Sequence, residues 1–200
     1  MFTGIVSDLG TLAARSGARL SIACTYNPSS LMPGASMACD GCCLTMVNAS
    51  AGQGGAVFAV EISNETLART TLGNWQVGRR INLERPLNLG DELGGHLVTG
   101  HIDGLATITG RAQDGDSIRF TLESPARLAK FIAAKGAVAL DGVSLTVNEV
   151  DGKSFGVNII PYTLARTTWR DRKAGDLVNL EVDMLARYVE RIAAMKASEP

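Results

Sequence analysis

The 200-residue chain has no long apolar run, no excess of charge of either sign, and only two histidines. No stretch approaches the roughly 20 apolar residues of a transmembrane helix. Residues 1–11 lack the basic start and apolar core of a signal peptide. The expectation is a soluble, cytoplasmic protein with no membrane partner. Lys and Arg total 19 against 20 Asp and Glu. Residues 1–95 carry 6 basic and 7 acidic groups, which leaves 13 and 13 for the rest. No basic face is forced, so nucleic acid gains no support as a partner. A glycine-rich phosphate loop is missing too: Gly90, Gly94 and Gly95 do not open a helix in the G-x-G-x-x-G frame. There is no Ser-x-x-Lys, no H-E-x-x-H and no nucleophile elbow. No cofactor is expected.

Cysteine is sparse but clustered, at positions 24, 39, 42 and 43. Cys39-x-x-Cys42 invites a redox or zinc reading, but that needs a second ligand pair or a βαβ context. Neither is present, and His96 and His101 are far away in sequence. Reduced core cysteines and no metal are expected.

What the chain does have is a phrase used twice. Asp40-Gly-Cys-Cys43-Leu44-Thr45 is echoed by Asp141-Gly-Val-Ser144-Leu145-Thr146. Leu67-Ala-Arg-Thr-Thr71 recurs letter for letter at 164–168, Asn82-Leu-Glu84 at 179–181, and Thr3-Gly4 at 99–100. The displacements are 101, 97, 97 and 96 residues, in one order. A period near one hundred is a duplicated domain, too long for a solenoid repeat. The expected units are 1–96, 97–183 and a tail, 184–200.

Each copy shows short alternating runs. In the first, strands are expected over 2–12, 19–26, 35–39, 44–47, 56–62 and 80–83, with a hairpin turn at Asp40-Gly41 and a turn over 27–34. Ser63 is placed to cap a short helix running to Leu72. The second copy follows with strands over 98–109, 117–122, 155–160 and 177–182. Ser124-Pro125 signals a helix ending at Gly136. The profile is mainly β: two tandem six-stranded closed barrels with short helices, a sandwich fitting the spacing as well. In the tail, Leu185, Tyr188, Val189, Ile192 and Met195 fall at helical steps, an amphipathic helix with no twin. Either it packs on one of the barrels or it mates with copies of itself; an oligomerisation helix is the better explanation of the two.

The copies differ where chemistry could live. Ile5 is matched by His101, Gly34 by Lys135 and Cys43 by Ser144. Each time the second copy holds the group better able to move a proton or donate a hydrogen bond.

Several motifs then meet a known family. Met-Phe2-Thr-Gly4-Ile5-Val6, Gly41-Cys-Cys43-Leu44-Thr45, Gly94-Gly-His-Leu-Val-Thr-Gly100-His101-Ile102-Asp-Gly104, Asp141-Gly-Val-Ser144-Leu145-Thr146 and Ile160-Pro161 with Thr163-Leu164 closely resemble the alpha-chain riboflavin synthase family. The likeness spans the whole chain. It implies a cofactor-independent transferase that dismutates two molecules of 6,7-dimethyl-8-ribityllumazine into riboflavin and 5-amino-6-(D-ribitylamino)uracil. It implies a homotrimer of paired barrels, with the site between neighbouring subunits and an association with lumazine synthase open to it. Carried over, the first barrel binds substrate with Phe2, Gly4, Ile5, Val6, Ser36, Cys43, Leu44, Thr45, Glu61, Ile62, Ser63, Asn64, Glu65 and Thr66. The second uses Gly100, His101, Ile102, Lys135, Ser144, Leu145, Thr146, Asn158, Ile159, Ile160, Pro161, Tyr162 and Thr163. Ser144, His101, Lys135, Cys43 and Thr146 are the catalytic candidates. Tyr162 stands where many relatives have an acid, as Glu65 does in the first copy.

Overall fold

The structure is a computed structural model and describes residues 1–196. In the first half β1 (Asp8–Ser16), β2 (Arg19–Cys24), β3 (Ser36–Cys39), β4 (Cys42–Gly52) and β5 (Gly55–Glu61) precede helix α1 (Asn64–Arg69) and β6 (Arg80–Glu84). In the second, β7 (Gly104–Asp114), β8 (Ser117–Glu123), β9 (Ala137–Leu140), β10 (Val143–Asp151) and β11 (Ser154–Ile159) precede α2 (Pro161–Arg166) and β12 (Leu177–Val182). Helix α3 (Met184–Lys196) follows; residues 197–200 of the expected tail helix lie outside the described residues.

Both sheets close. The first runs β1-β2-β5-β4-β3-β6 and the second β7-β8-β11-β10-β9-β12, the same order six strands on. Closure removes the edge strands that a sandwich would expose. Register irregularities recur in step: between Leu12 and Ala14 as between Ile108 and Gly110, and between Met46 and Asn48 as between Val147 and Glu149. Bulges of this kind sharpen strand curvature, which a small barrel needs.

Strand alternation fills each barrel. Leu12, Leu20, Ile22, Met37, Phe58, Leu72 and Trp75 build one core; Ile108, Phe120, Leu122, Phe155, Val157 and Trp169 build the other. Full burial of side chains like these contributes about 1.5–3 kcal/mol each. A third, small cluster of Phe2, Ala38, Val98 and Ala139 joins the two.

Local departures from the sequence expectations have clear causes. The first strand begins at Asp8, not Phe2, and its counterpart at Gly104, not Val98. Phe2 and Val98 instead pair with each other in an isolated antiparallel bridge. Their segments leave their own sheets, for a reason that lies in the site. The segment after Pro125 is a 3₁₀ helix, Ala126–Phe131, rather than a longer helix ending at Gly136. Ser124 does not cap it, because its Oγ donates to the Lys153 carbonyl at 3.3 Å. Ser63 does cap α1, accepting from Thr66 N at 3.1 Å. The helix breaks before Leu72: Thr70 turns extended, and its side chain caps a separate 3₁₀ turn, Thr71–Asn74.

The repeated Asp-Gly turns meet at the pseudo-twofold axis between the halves. Asp40 and Gly41 have φ of 43° and 81°, Asp141 and Gly142 of 46° and 77°, two consecutive left-handed residues as in a type I′ hairpin. Asn82 Nδ2 donates to the Asp141 carbonyl at 2.8 Å, and Asn82 Oδ1 accepts from Thr168 N at 2.8 Å. Asn179 repeats this on Asp40 O at 2.8 Å and Thr71 N at 2.9 Å. The carboxylates are buried as well: Asp40 Oδ1 accepts from Asn82 N and Asp141 Oδ1 from Asn179 N, each at 2.8 Å. Burial pushes the Asp40 carboxyl up, Asp141 adds to it, and the Arg79 and Arg172 guanidiniums oppose it. Replacing Asn82 by Ala would strand a buried N–H and a buried C=O. Asn82→Ala is expected to lower unfolding free energy by about 2–6 kcal/mol in denaturant titration, while Ser50→Ala on the outer surface changes little.

Candidate functional site

Two equivalent cavities sit at the starts of β4 and β10, directly after the Asp-Gly turns on the axis. The first, about 230 Å³, is lined by Cys42 and Cys43 of β4, Glu65, Thr66, Arg69 and Thr70 of and beside α1, and Gly100, His101 and Ile102. The second, about 190 Å³, is lined by Val143 and Ser144 of β10, Tyr162, Thr163, Arg166 and Thr167 of and beside α2, and Gly4, Ile5 and Val6. Each barrel supplies two walls of its own cavity, and the opposite half supplies the third.

This crosses the assignment expected from sequence order, which put Gly4, Ile5 and Val6 with the first barrel and Gly100, His101 and Ile102 with the second. Cys43 N donates to Gly100 O at 2.9 Å, and Ser144 N donates to Gly4 O at 2.8 Å. Ile102 packs on the first core and Val6 on the second. The exchange has an anchor on each side. Glu84 at the end of β6 accepts from Thr3 N at 2.6 Å, Thr3 Oγ1 at 2.7 Å and Gly4 N at 3.0 Å. Glu181 of β12 accepts from Thr99 N at 2.8 Å, Thr99 Oγ1 at 2.6 Å and Gly100 N at 2.9 Å. Burial pushes both carboxyls up and these donors pull them back. The repeated Asn-Leu-Glu phrase signals these anchors in the sequence, but gives no hint of what they hold.

The crossing segments pass too close for a side chain. A Cβ on Gly4 would lie 2.6 Å from Ser144 Cβ, and one on Gly100 2.5 Å from Cys43 Cβ. Both glycines have left-handed φ, 77° and 80°.

The expected catalytic group is split. His101 sits in the first cavity with Cys43 and Glu65, not beside Ser144. The partner of Ser144 is His96, which sequence reasoning missed: its Nδ1 lies 2.7 Å from Ser144 Oγ. Burial pushes the His96 pKa down from 6.5, with Asp183 opposing, so the imidazole is neutral at pH 7. Its Nε2 is buried without a partner among the described residues. Gly95 makes the approach possible, since a Cβ there would meet Thr3 O at 2.0 Å and Ser144 Cβ at 2.9 Å. Neutral imidazole beside a hydroxyl is the arrangement that takes a proton from oxygen.

The other expected residues divide. Glu65, Thr66, Tyr162 and Thr163 line the cavities. Arg69 Nε meets Glu65 at 2.8 Å, whereas Arg166 stacks on the Tyr162 ring at 4.6 Å, so an aromatic face replaces the acid. Thr45 and Thr146 are exposed two residues beyond Cys43 and Ser144, hence on the same strand face. Ser36 pairs with Thr45 across the β3–β4 ladder. Leu44, Ile62, Leu145 and Ile159 point into the barrel cores, and Phe2 is fully buried between the barrels. Glu61 pairs with Arg19 at 3.2 Å, Ser63 is the α1 cap, and Asn64 is exposed. Asn158 donates to Asp114 at 3.1 Å, Ile160 is exposed and Pro161 starts α2. Lys135 is exposed, at φ 68° where the first copy has Gly34 at 88°. Burial pushes the Cys39 and Cys42 thiols up, away from the thiolate that a redox or metal role requires.

Residues 3–86 and 99–183 each match the lumazine binding domain. The chain belongs to the lumazine-binding domain family. It is 52% identical to the riboflavin synthase of Brucella abortus (strain 2308), over 96% of this chain and 98% of that protein. It is 38% identical to the riboflavin synthase of Photobacterium phosphoreum, over 100% of this chain and 92% of that one. Among solved structures, LumP complexed with riboflavin aligns at a TM-score of 0.79 with 26% identity, covering 91% of this chain and 99% of that chain. The second lumazine-binding match begins at residue 99, so it contains Gly100, His101 and Ile102, although these residues complete the other barrel's cavity. Family membership follows chain order, whereas the cavities follow space.

Gly4→Ala is expected to displace the crossing segment, lowering unfolding free energy by about 1–3 kcal/mol and weakening ligand binding at the second cavity. Gly17→Ala, also left-handed at φ 60° but with nothing within 4 Å of a Cβ, is the control. Its cost should be about 1–2 kcal/mol with ligand titration unchanged.

Proposed function

We propose that this chain is a riboflavin synthase. Two molecules of 6,7-dimethyl-8-ribityllumazine react, a four-carbon unit passes between them, and riboflavin and 5-amino-6-(D-ribitylamino)uracil leave. The observation that carries the reading is a pair of equivalent cavities for two identical substrates, one of them lined by Ser144, whose hydroxyl meets His96. Its relatives include riboflavin synthases 35% to 52% identical along nearly the whole chain.

The chemistry divides between the cavities. One lumazine must lose a proton from its 7-methyl group, leaving an anion spread over the ring. Backbone donors and the Thr45 and Thr146 hydroxyls can face the ring edge. The other lumazine needs an oxygen nucleophile at C7. Ser144 Oγ supplies it: its proton passes to neutral His96, the O–C7 bond forms, and the ring takes up the electron pair. His101, beside Cys43, handles the methyl proton. Holding two rings in one fixed pose can lower the barrier by roughly 7–11 kcal/mol at best.

The protein works as a cytoplasmic homotrimer, with the first cavity of one subunit facing the second of its neighbour, and it is open to association with lumazine synthase. Units 1–96 and 97–183 each carry one lumazine cavity, closed by the crossing segment of the other unit, Lys135 serves the shared site, and 184–200 makes the oligomer. What supports the last point is α3: Leu185, Tyr188, Val189 and Ile192 are all more than half exposed. The helix is tied to the second barrel by Arg187–Asp103 at 3.0 Å and by Lys130–Glu190. A carrier without turnover, a reading that the likeness to LumP raises, would need the barrels but not the Ser144–His96 pair.

Incubation with 6,7-dimethyl-8-ribityllumazine should produce riboflavin absorbance without added metal or nucleotide; binding without turnover would make the chain a carrier. Ser144→Ala should lower kcat on the order of 10²–10⁴-fold with little change in KM. Thr45→Ala should mainly raise KM, and an equal loss of kcat there would refute the asymmetry. His96 is active when neutral, so activity is present above its lowered pKa and lost as pH falls through it. The acid limb of kcat/KM should therefore lie below pH 6.5, the group's ordinary value, and disappear in His96→Gln.

Removal of residues 184–200 should reduce the solution mass to that of a lone subunit and abolish most turnover, with lumazine binding partly retained. Unchanged mass together with full turnover would reject the oligomerisation role.

A further inference from the structure

Beside the axis between the halves, Arg79, Arg80, Thr168, Asp171 and Arg172 line a cavity of about 220 Å³ that shares no residue with either lumazine-type cavity. Among the described residues, three of its lining side chains have a buried polar atom without a partner: Arg79 Nε, Arg172 Nε and Thr168 Oγ1. The two guanidiniums are held from behind. Arg79 Nη2 meets Asp40 at 3.0 Å, and Arg172 Nη2 meets Asp141. Both aspartate side chains are fully buried, and each also accepts from an asparagine main-chain N–H. Those contacts leave both Nε–H groups unmatched. Arg80 is exposed, and Arg170 lines the adjoining cleft with Arg80, Thr168 and Asp171. Asp171 is the one carboxylate in the lining.

The duplication provides an internal control. At the displacement of 97, the counterparts of Arg79, Arg80, Thr168, Asp171 and Arg172 are Asp176, Leu177, Thr71, Asn74 and Trp75. On that side Thr71 Oγ1 accepts from Trp75 Nε1 at 3.3 Å. On this side an arginine stands in the place of that tryptophan, and the buried Thr168 Oγ1 has no partner among the described residues. Neutralising Asp40 and Asp141 requires Arg79 and Arg172 alone. It does not account for Arg80 at the same cavity. A buried donor without an acceptor is unfavourable, and guanidinium hydrogen bonds to an oxyanion are among the strong ones.

We propose that this cavity is an inorganic phosphate site, with Arg79 and Arg80 of the first half and Thr168 and Arg172 of the second binding the anion between them. Bound phosphate then braces the two barrels and stabilises only the folded chain.

The test is calorimetric titration of the full-length protein with phosphate, at ionic strength held constant with chloride. One saturable site per chain is expected, with Tm raised by about 3–6 °C at ten times Kd. Arg80→Ala and Thr168→Val should each weaken binding by roughly tenfold or more. Neither removes a contact of the axis: Arg80 does not touch Asp40 or Asp141, and the Thr168 main-chain N–H that reaches Asn82 is retained. The absence of saturable heat, or an affinity unchanged in both variants, would overturn the proposal.

Discussion

Everything in this protein hangs on two buried Asp-Gly turns pressed back to back. A Cβ on Gly41 would lie 2.7 Å from Gly142 N, and one on Gly142 2.7 Å from Gly41 N. Nothing larger than glycine fits on the axis. Around it, Asn82 and Asn179 each satisfy polar groups of the opposite half, so neither half completes its own hydrogen bonding alone. Two carboxylates are kept out of water there, which is tolerable only because every oxygen is used and two guanidiniums face them. An arrangement this constrained fixes the relative orientation of the barrels.

With that orientation fixed, the crossing segments have one place to go. Phe2 and Val98 bridge, with N···O distances of 2.7 and 3.0 Å, and each chain runs on into the other barrel's strand end. Glu84 and Glu181 hold the bends. The consequence is that each cavity is a joint product of both halves. Two identical ligands can then be placed in related poses, because the cavities that hold them are themselves related by the axis.

Symmetry of frame does not mean symmetry of chemistry. At matched places the first cavity has Cys43 and an Arg69–Glu65 ion pair, and the second has Ser144 and Arg166 stacked on Tyr162. The second has a histidine within hydrogen-bond distance of its β-strand hydroxyl. The Arg-rich cavity beside the axis is asymmetric in the same sense. Duplication supplied the scaffold twice, and the differences between the copies line the two sides with different side chains.

Much of this could be read in the amino-acid order. Repeated phrases at nearly constant displacement required two similar domains, because local hydrophobic alternation and Asp-Gly turns specify strands and hairpins with neighbours a few residues away. The Leu177–Val182 strand and the Ser63 cap follow from such local rules. The helix expected after Ser124 failed on the same scale: the Ser124 hydroxyl is drawn to the Lys153 carbonyl, a contact no local rule contains. Which barrel Gly4 and Gly100 serve was beyond the sequence, as was the pairing of Ser144 with His96 rather than His101. Those contacts join residues 48 to 140 positions apart, and they exist because two rigid barrels meet on one axis. Sequence order determined the parts and their repetition; only packing across that axis decided which parts share a site.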